Sequence, residues 1–143
     1  MIFVVFNSTT GKILRTINTS LSSYTPSIIS GELFIASTVI VDKNTQYVIN
    51  IGTTNDITTR QLLSTVVTWD SGTLTADGVD SCTLSGLPNP SSYNIAVPVG
   101  VDAIPDGVIT DGSLVFKTNQ SGTYIITIDS FPYQLYSQTI TAT

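Results

Sequence analysis

Residues 123–129 read TYIITID. Successive side chains of an extended chain point to opposite faces. Tyr124, Ile126 and Ile128 therefore share one side of a strand, and Ile125, Thr127 and Asp129 share the other. One face is fit for a core and the other for a more polar surface. Helical periodicity is almost absent from the whole chain. Outward from this stretch the same grammar repeats. The turn signals DSG, ADG, GLPNPSS, IPDG, TDG and NQSG separate VVTW, SCTLSGL, SYNIAVPV, SLVFKT, TYIITID and QLYSQTITAT. Short strands punctuated at such regular spacing predict a β-sandwich. In SYNIAVPV, Tyr93, Ile95, Val97 and Val99 fall on one face. Pro98 lacks an N–H for a ladder, which places that strand end at an edge or a bulge.

The first half is built differently. IFVVF (residues 2–6) is continuously apolar, as expected of a strand covered on both faces. NSTTGK turns the chain and ILRTI returns, predicting an opening hairpin. The segment from Asn18 to Gly31 reads as a loop with one short helical turn. ELFIAS, TVIVD and QYVINIG follow as strands, with a turn over Lys43 to Thr45, and ITTRQLL resumes an extended path. The N-terminal apolar run has no basic leader and no small-residue cleavage site, so it is expected to be a strand rather than a signal peptide.

Of the 143 residues, 41% are hydrophobic and only 10% charged, against about a quarter in ordinary domains. Such a surface is rich in hydroxyl and amide groups and suits a chain packed among neighbours. The net charge is −5. The basic residues Lys12, Arg15, Lys43, Arg60 and Lys117 are scattered, so no basic stripe follows a phosphate backbone or an anionic membrane. Neither nucleic acid nor membrane is expected as a partner. Asn7, Asn18 and Asn119 head glycosylation-like triplets that read as ordinary turn sequence.

The chemistry-bearing residues are few. Without histidine there is no Ser-His-Asp or Cys-His machinery, and most zinc and haem sites are excluded. Cys82 stands alone and reads as a small buried hydrophobe. Asp70-Ser71-Gly72 matches the triplet of aspartic proteases, which would need a dimer to pair two carboxylates, but it is also a common turn. Asp102, Asp106 and Asp111, with Asp77 and Asp80, offer oxygens to Ca²⁺ in a spacing that fits no EF-hand loop. Solvated turns are the competing explanation, and Asp77-Gly78 supplies a tight reversal. Glu32, the only glutamate, leaves little for a two-carboxylate glycosidase. Trp69 and the six tyrosines suit either a sugar platform or core packing.

Two sets of motifs resemble a known family. Thr10-Gly11-Lys12-Ile13, Gly31-Glu32, Tyr47-Val48 and Arg60 are similar to the front of small bacteriophage structural proteins encoded among tail and tail-fibre genes. LTADGVDSCTLSGLPNPSSYNI and DGSLVFKTNQSGTYIITIDSFPYQLYSQTITA resemble the immunoglobulin-like module that follows in such proteins. Departures are Cys82, where the pattern favours Ala, and the loop from Ser22 to Ser30, which is more acidic and helical in the pattern. The family offers no catalytic residues to carry over.

The expectation is an all-β chain: a small N-terminal β-hairpin/sheet lobe over residues 1–64, serving virion docking, then an immunoglobulin-like β-sandwich over 65–143. The resemblance implies a non-enzymatic virion protein, made in the host bacterial cytoplasm, tail or tail-fibre associated and docking in multiple symmetric copies on other virion proteins. No cofactor, metal or catalytic residue is expected. The alternatives are a capsid decoration protein, a host-surface carbohydrate-binding module and, more remotely, a dimeric aspartic hydrolase.

Overall fold

A computed structural model describes residues 1–21 and 23–143. The chain is all-β. Among the described residues the only helical element is a single 3₁₀ turn, Leu63–Thr65. The chain divides into two compact units, Met1–Gln61 and Leu62–Thr143. The 3₁₀ turn falls in the second unit, where Leu63 is part of the core.

In the first unit, β1 (Ile2–Asn7) is flanked by β2 (Ile13–Asn18) and β3 (Glu32–Ser37), both antiparallel to it. A bulge falls between Val5 and Phe6. A second hairpin joins β4 (Gln46–Ile49) to β5 (Asp56–Thr59). Val4 and Phe6 bury with Ile13, Val41 and Val48, joined by Ile57 of β5. Phe3 and Val5 point the other way. Phe3 meets the rings of Tyr24 and Phe34 at 5.9 and 5.8 Å. The continuously apolar run is thus covered on both faces, as its composition predicts, and each fully buried side chain there contributes about 1.5–3 kcal/mol.

The turn between β1 and β2 is fixed by Asn7. Its Oδ1 accepts from the amides of Thr9 and Thr10 at 2.9 and 2.8 Å. Gly11 follows with φ +75° and sits so close to β4 that an added Cβ would lie 1.8 Å from the Val48 carbonyl oxygen. The Val48 amide donates to the Gly11 carbonyl at 2.9 Å. Only glycine allows this approach.

One expectation for this unit fails. TVIVD forms no strand: Ser37 Oγ bonds both the carbonyl and the amide of Val39 and bends the chain. Only Val41 of that stretch is buried, while Ile40 is 87% exposed. The short helical turn expected between β2 and β3 falls on a stretch that includes Ser22, which lies outside the described residues; beside it the Tyr24 amide donates to the Leu21 carbonyl at 3.4 Å.

The second unit is a two-layer sandwich. One sheet has the order β10-β9-β12-β13-β7 and the other β11-β8-β6. The strands are β6 (Thr68–Trp69), β7 (Thr73–Leu74), β8 (Cys82–Ser85), β9 (Ser91–Ala96), β10 (Gly107–Ile109), β11 (Ser113–Phe116), β12 (Gly122–Asp129) and β13 (Tyr136–Ala142). All pairings are antiparallel except β7 with β13. On β12, Tyr124, Ile126 and Ile128 are fully buried, as the alternation predicts. They pack against Cys82 and Leu84 of β8 and Leu114 and Phe116 of β11.

The sequence reading of β9 is largely right. Tyr93, Ile95 and Val97 do pack on the core. Val99 lies past the strand and is fully exposed. The end of β9 is an edge, as expected, because residues 94–96 pair with β12 alone; Pro98 itself lies beyond the ladder, which stops at Ala96. The proline instead lies against Gly122, where an added Cβ would meet its Cγ at 2.5 Å. VVTW contributes only Thr68 and Trp69 to a strand, and the three-residue β10 is too short to announce itself.

Tyr124 joins the layers. Its ring lies 5.0 Å from that of Phe116 on the opposite sheet. Its hydroxyl donates to the Gln120 carbonyl at 2.9 Å and lies 2.9 Å from Thr118 Oγ1. Tyr124→Phe keeps the ring and removes the hydroxyl; the Gln120 carbonyl and Thr118 Oγ1 each lose one partner but keep the bonds between residues 118 and 120. The expected loss is about 0.5–1.5 kcal/mol of unfolding free energy. A urea titration checks it, and an unchanged midpoint would show that the hydroxyl does not hold this corner.

Candidate functional site

The six aspartates singled out by sequence do not form one site. Asp70 follows β6. Its Oδ1 accepts from the Thr83 amide at 2.7 Å, and its own amide donates to the Thr83 carbonyl at 3.1 Å. That side chain extends the β6–β8 ladder. The Thr83 amide is the main reason its pKa lies below the ordinary value. A carboxylate held ionised in this way is poorly disposed to share a proton with a second one, as an aspartic hydrolase requires.

Asp77 and Asp80 shape the turn between β7 and β8. Asp77 Oδ1 accepts from the amides of Val79 and Asp80, both at 2.8 Å. Gly78, with φ +78°, completes the reversal and donates to the Thr118 carbonyl at 3.0 Å. Asp80 uses both oxygens: Oδ2 accepts from the Thr75 amide at 2.7 Å and Oδ1 from the Ser81 amide at 2.9 Å. Both pKa values are lowered, led by the Asp80 amide for Asp77 and the Thr75 amide for Asp80. The pair organises backbone, which favours the turn reading over a cation loop.

Asp102 and Asp106 lie in the connection from β9 to β10. Asp106 Oδ1 accepts from Asn94 Nδ2 at 2.7 Å. Asp111 caps the next turn by accepting from the Ser113 amide at 3.2 Å. Among the described residues no three Cys, Asp or Glu side chains converge as a metal site needs.

The aromatic residues give no exposed platform. Trp69 is half-buried and packs on the sandwich core with Tyr93, Tyr133 and Tyr136. Its Nε1 is buried with no hydrogen-bond partner among the described residues. Tyr124 is fully buried. Cys82 is buried too, donates to the Thr73 carbonyl at 3.3 Å, and has its thiol pKa raised by burial. It is the small core residue the strand pattern implies and a poor nucleophile.

Glu32 has a role the sequence reading missed. It is buried, 8% exposed, and takes Arg15 in a forked ion pair at 2.5 and 2.9 Å. The Ile29 amide adds a bond at 3.1 Å, and Arg15 also donates to the Ser27 carbonyl at 2.8 Å. The pair therefore pins the loop between β2 and β3. The signal was available in the hairpin register: Arg15 pairs with Val5, and Val5 pairs with Phe34, two residues from Glu32.

Arg15, then the Ile29 amide, hold the Glu32 pKa below its ordinary value of 4.5. A depressed folded-state pKa gives stability that is complete above the unfolded value and is lost as pH falls through the folded value. Glu32→Gln is expected to melt below the parent at neutral pH. The gap should narrow below about pH 4.5. Thermal melts of both proteins across that range check this, and a gap that widens on acidification would overturn it.

The turn carboxylates make a second comparison. Asp77→Asn keeps the one oxygen that accepts both amides. Asp80→Asn replaces one of two accepting oxygens with a donor that faces an N–H. The Asp80 variant is expected to have the lower melting temperature. Equal melting temperatures would show that the two turns tolerate an amide alike.

No protein-family model, curated protein or solved structure matches this chain.

Proposed function

We propose that the chain is a non-enzymatic bacteriophage virion structural protein, tail or tail-fibre associated, that docks in multiple copies on a larger assembly. One observation carries the reading. The residues that resemble the phage proteins hold this chain's own corners. Gly11 of the front motif seats against Val48, thirty-seven positions on. Glu32 of the Gly31-Glu32 pair binds Arg15. Arg60 is buried and donates through Nε to the Gln46 carbonyl at 3.3 Å. Such a pattern is what a scaffold needs and supplies no reactive group.

The second unit supports an immunoglobulin-like reading. A two-sheet sandwich, and a tyrosine at the start of β12 bonding back to the backbone four residues earlier, are features that support it. Gly86, with φ +81°, is another fixed corner: an added Cβ would lie 2.6 Å from the Val66 carbonyl oxygen.

Docking is supported by the first unit. Ile28 and Ile29 stand exposed just before β3, and Val39 and Ile40 just after it. β2 and β3 are the edges of their sheet. Exposed apolar side chains beside an open strand edge suit contact with another protein. Capsid decoration would use the same surface. The hydrolase reading is disfavoured by the bond between Asp70 and Thr83, and a Trp69 sugar platform by the packing of its ring.

Antibody labelling of purified virions in electron micrographs tests the proposal. Label at the tail or its fibres is expected. Label confined to the head would favour decoration, and unlabelled particles would overturn the virion reading.

A further inference from the structure

We propose that the outer face of the five-stranded sheet carries a subsite for an uncharged saccharide. The inference rests on a groove of about 410 Å³ beside β9, β10 and β12, and not on the virion reading. That volume lies toward the lower end of the roughly 300–1,000 Å³ found for small-molecule sites.

The lining is mostly apolar, with a few polar side chains set into it. Ser92 and Asn94 project outward from β9, flanked by Asp106 and by Asp129 at the end of β12. Val108 and Leu135 stand at the rim, 66% and 65% exposed. The bond between Asn94 Nδ2 and Asp106 Oδ1 holds an amide and a carboxylate side by side. It leaves the second carboxylate oxygen, the amide oxygen and one amide hydrogen directed elsewhere. Adjacent acceptors and a donor suit vicinal hydroxyls, each of which both donates and accepts. The C–H surface of a sugar ring suits Val108 and Leu135.

Charge narrows the ligand further. No Lys or Arg lines the groove. The whole second unit has one cation, Lys117, against seven aspartates. Phosphates, sulfates and acidic sugars would be repelled. A shallow, open groove of this kind implies weak binding, with a dissociation constant on the order of millimolar.

The test is an amide-resolved NMR titration of the full chain. The probes are the methyl glycosides of glucose, galactose, mannose and N-acetylglucosamine, with glucuronic acid and lysine amide as comparisons. Saturable shifts are expected at residues 92–94, 106–108 and 127–129 for at least one uncharged glycoside, and none with glucuronic acid. Asn94→Ala and the exposed rim variant Val108→Lys should each weaken that binding by at least about tenfold. Val115→Lys, on the exposed side of the other sheet, should leave it unchanged. The proposal is overturned if no glycoside gives saturable shifts, if the shifts fall outside the groove, if neither groove variant weakens binding, or if only lysine amide binds.

Discussion

Tyr124 does two jobs in the second unit. Its ring bridges the layers against Phe116, and its hydroxyl fixes the link from β11 to β12 through Gln120 and Thr118. That link in turn receives the Gly78 amide on the Thr118 carbonyl. The turn shaped by Asp77 and Asp80 is therefore docked onto a corner that Tyr124 holds. The chain of dependence runs from one buried phenol to two surface loops. A buried polar tip on a large apolar ring is well suited to this, because burying it is costly unless its hydrogen bonds are met.

In a chain so poor in lysine and arginine, aspartate has few cations to meet. It serves here as a backbone acceptor instead. Asp70, Asp77, Asp80 and Asp111 each take amides at turns or ladder ends. Glu32 does meet a cation, and its pair with Arg15 does a comparable job by tying a loop down. Lowered carboxylate pKa values follow from these structural bonds. A depressed pKa alone is thus no mark of chemistry in this protein.

Much of the fold was legible because alternation and turn residues act locally. TYIITID declared its buried face, and Asp77-Gly78 and Gly86 declared their turns. What stayed hidden depended on distant partners. TVIVD is as apolar as a strand, but Ser37 bends it. SYNIAVPV alternates past the point where β9 ends. β10 exists because Gly107 pairs with Tyr93 and leaves room for its ring, a contact between positions fourteen apart. The Asn94–Asp106 pair arises from that same register. Sequence could flag Asp106 as a carboxylate but not bring it beside an amide on another strand.

Low charge overall suggested that copies could pack without repulsion, but the charge is unevenly spread. Lys12, Arg15, Lys43 and Arg60 all lie in the first unit, which has three carboxylates, whereas the second has Lys117 alone among seven. Second units brought face to face would repel one another, most strongly at low salt. First units are close to neutral and carry the exposed apolar residues around β3. In a multi-copy assembly, close contact is therefore cheapest through the first unit, and the acidic sandwich is better suited to face solvent. That charge distribution is compatible with the docking and the saccharide binding proposed above.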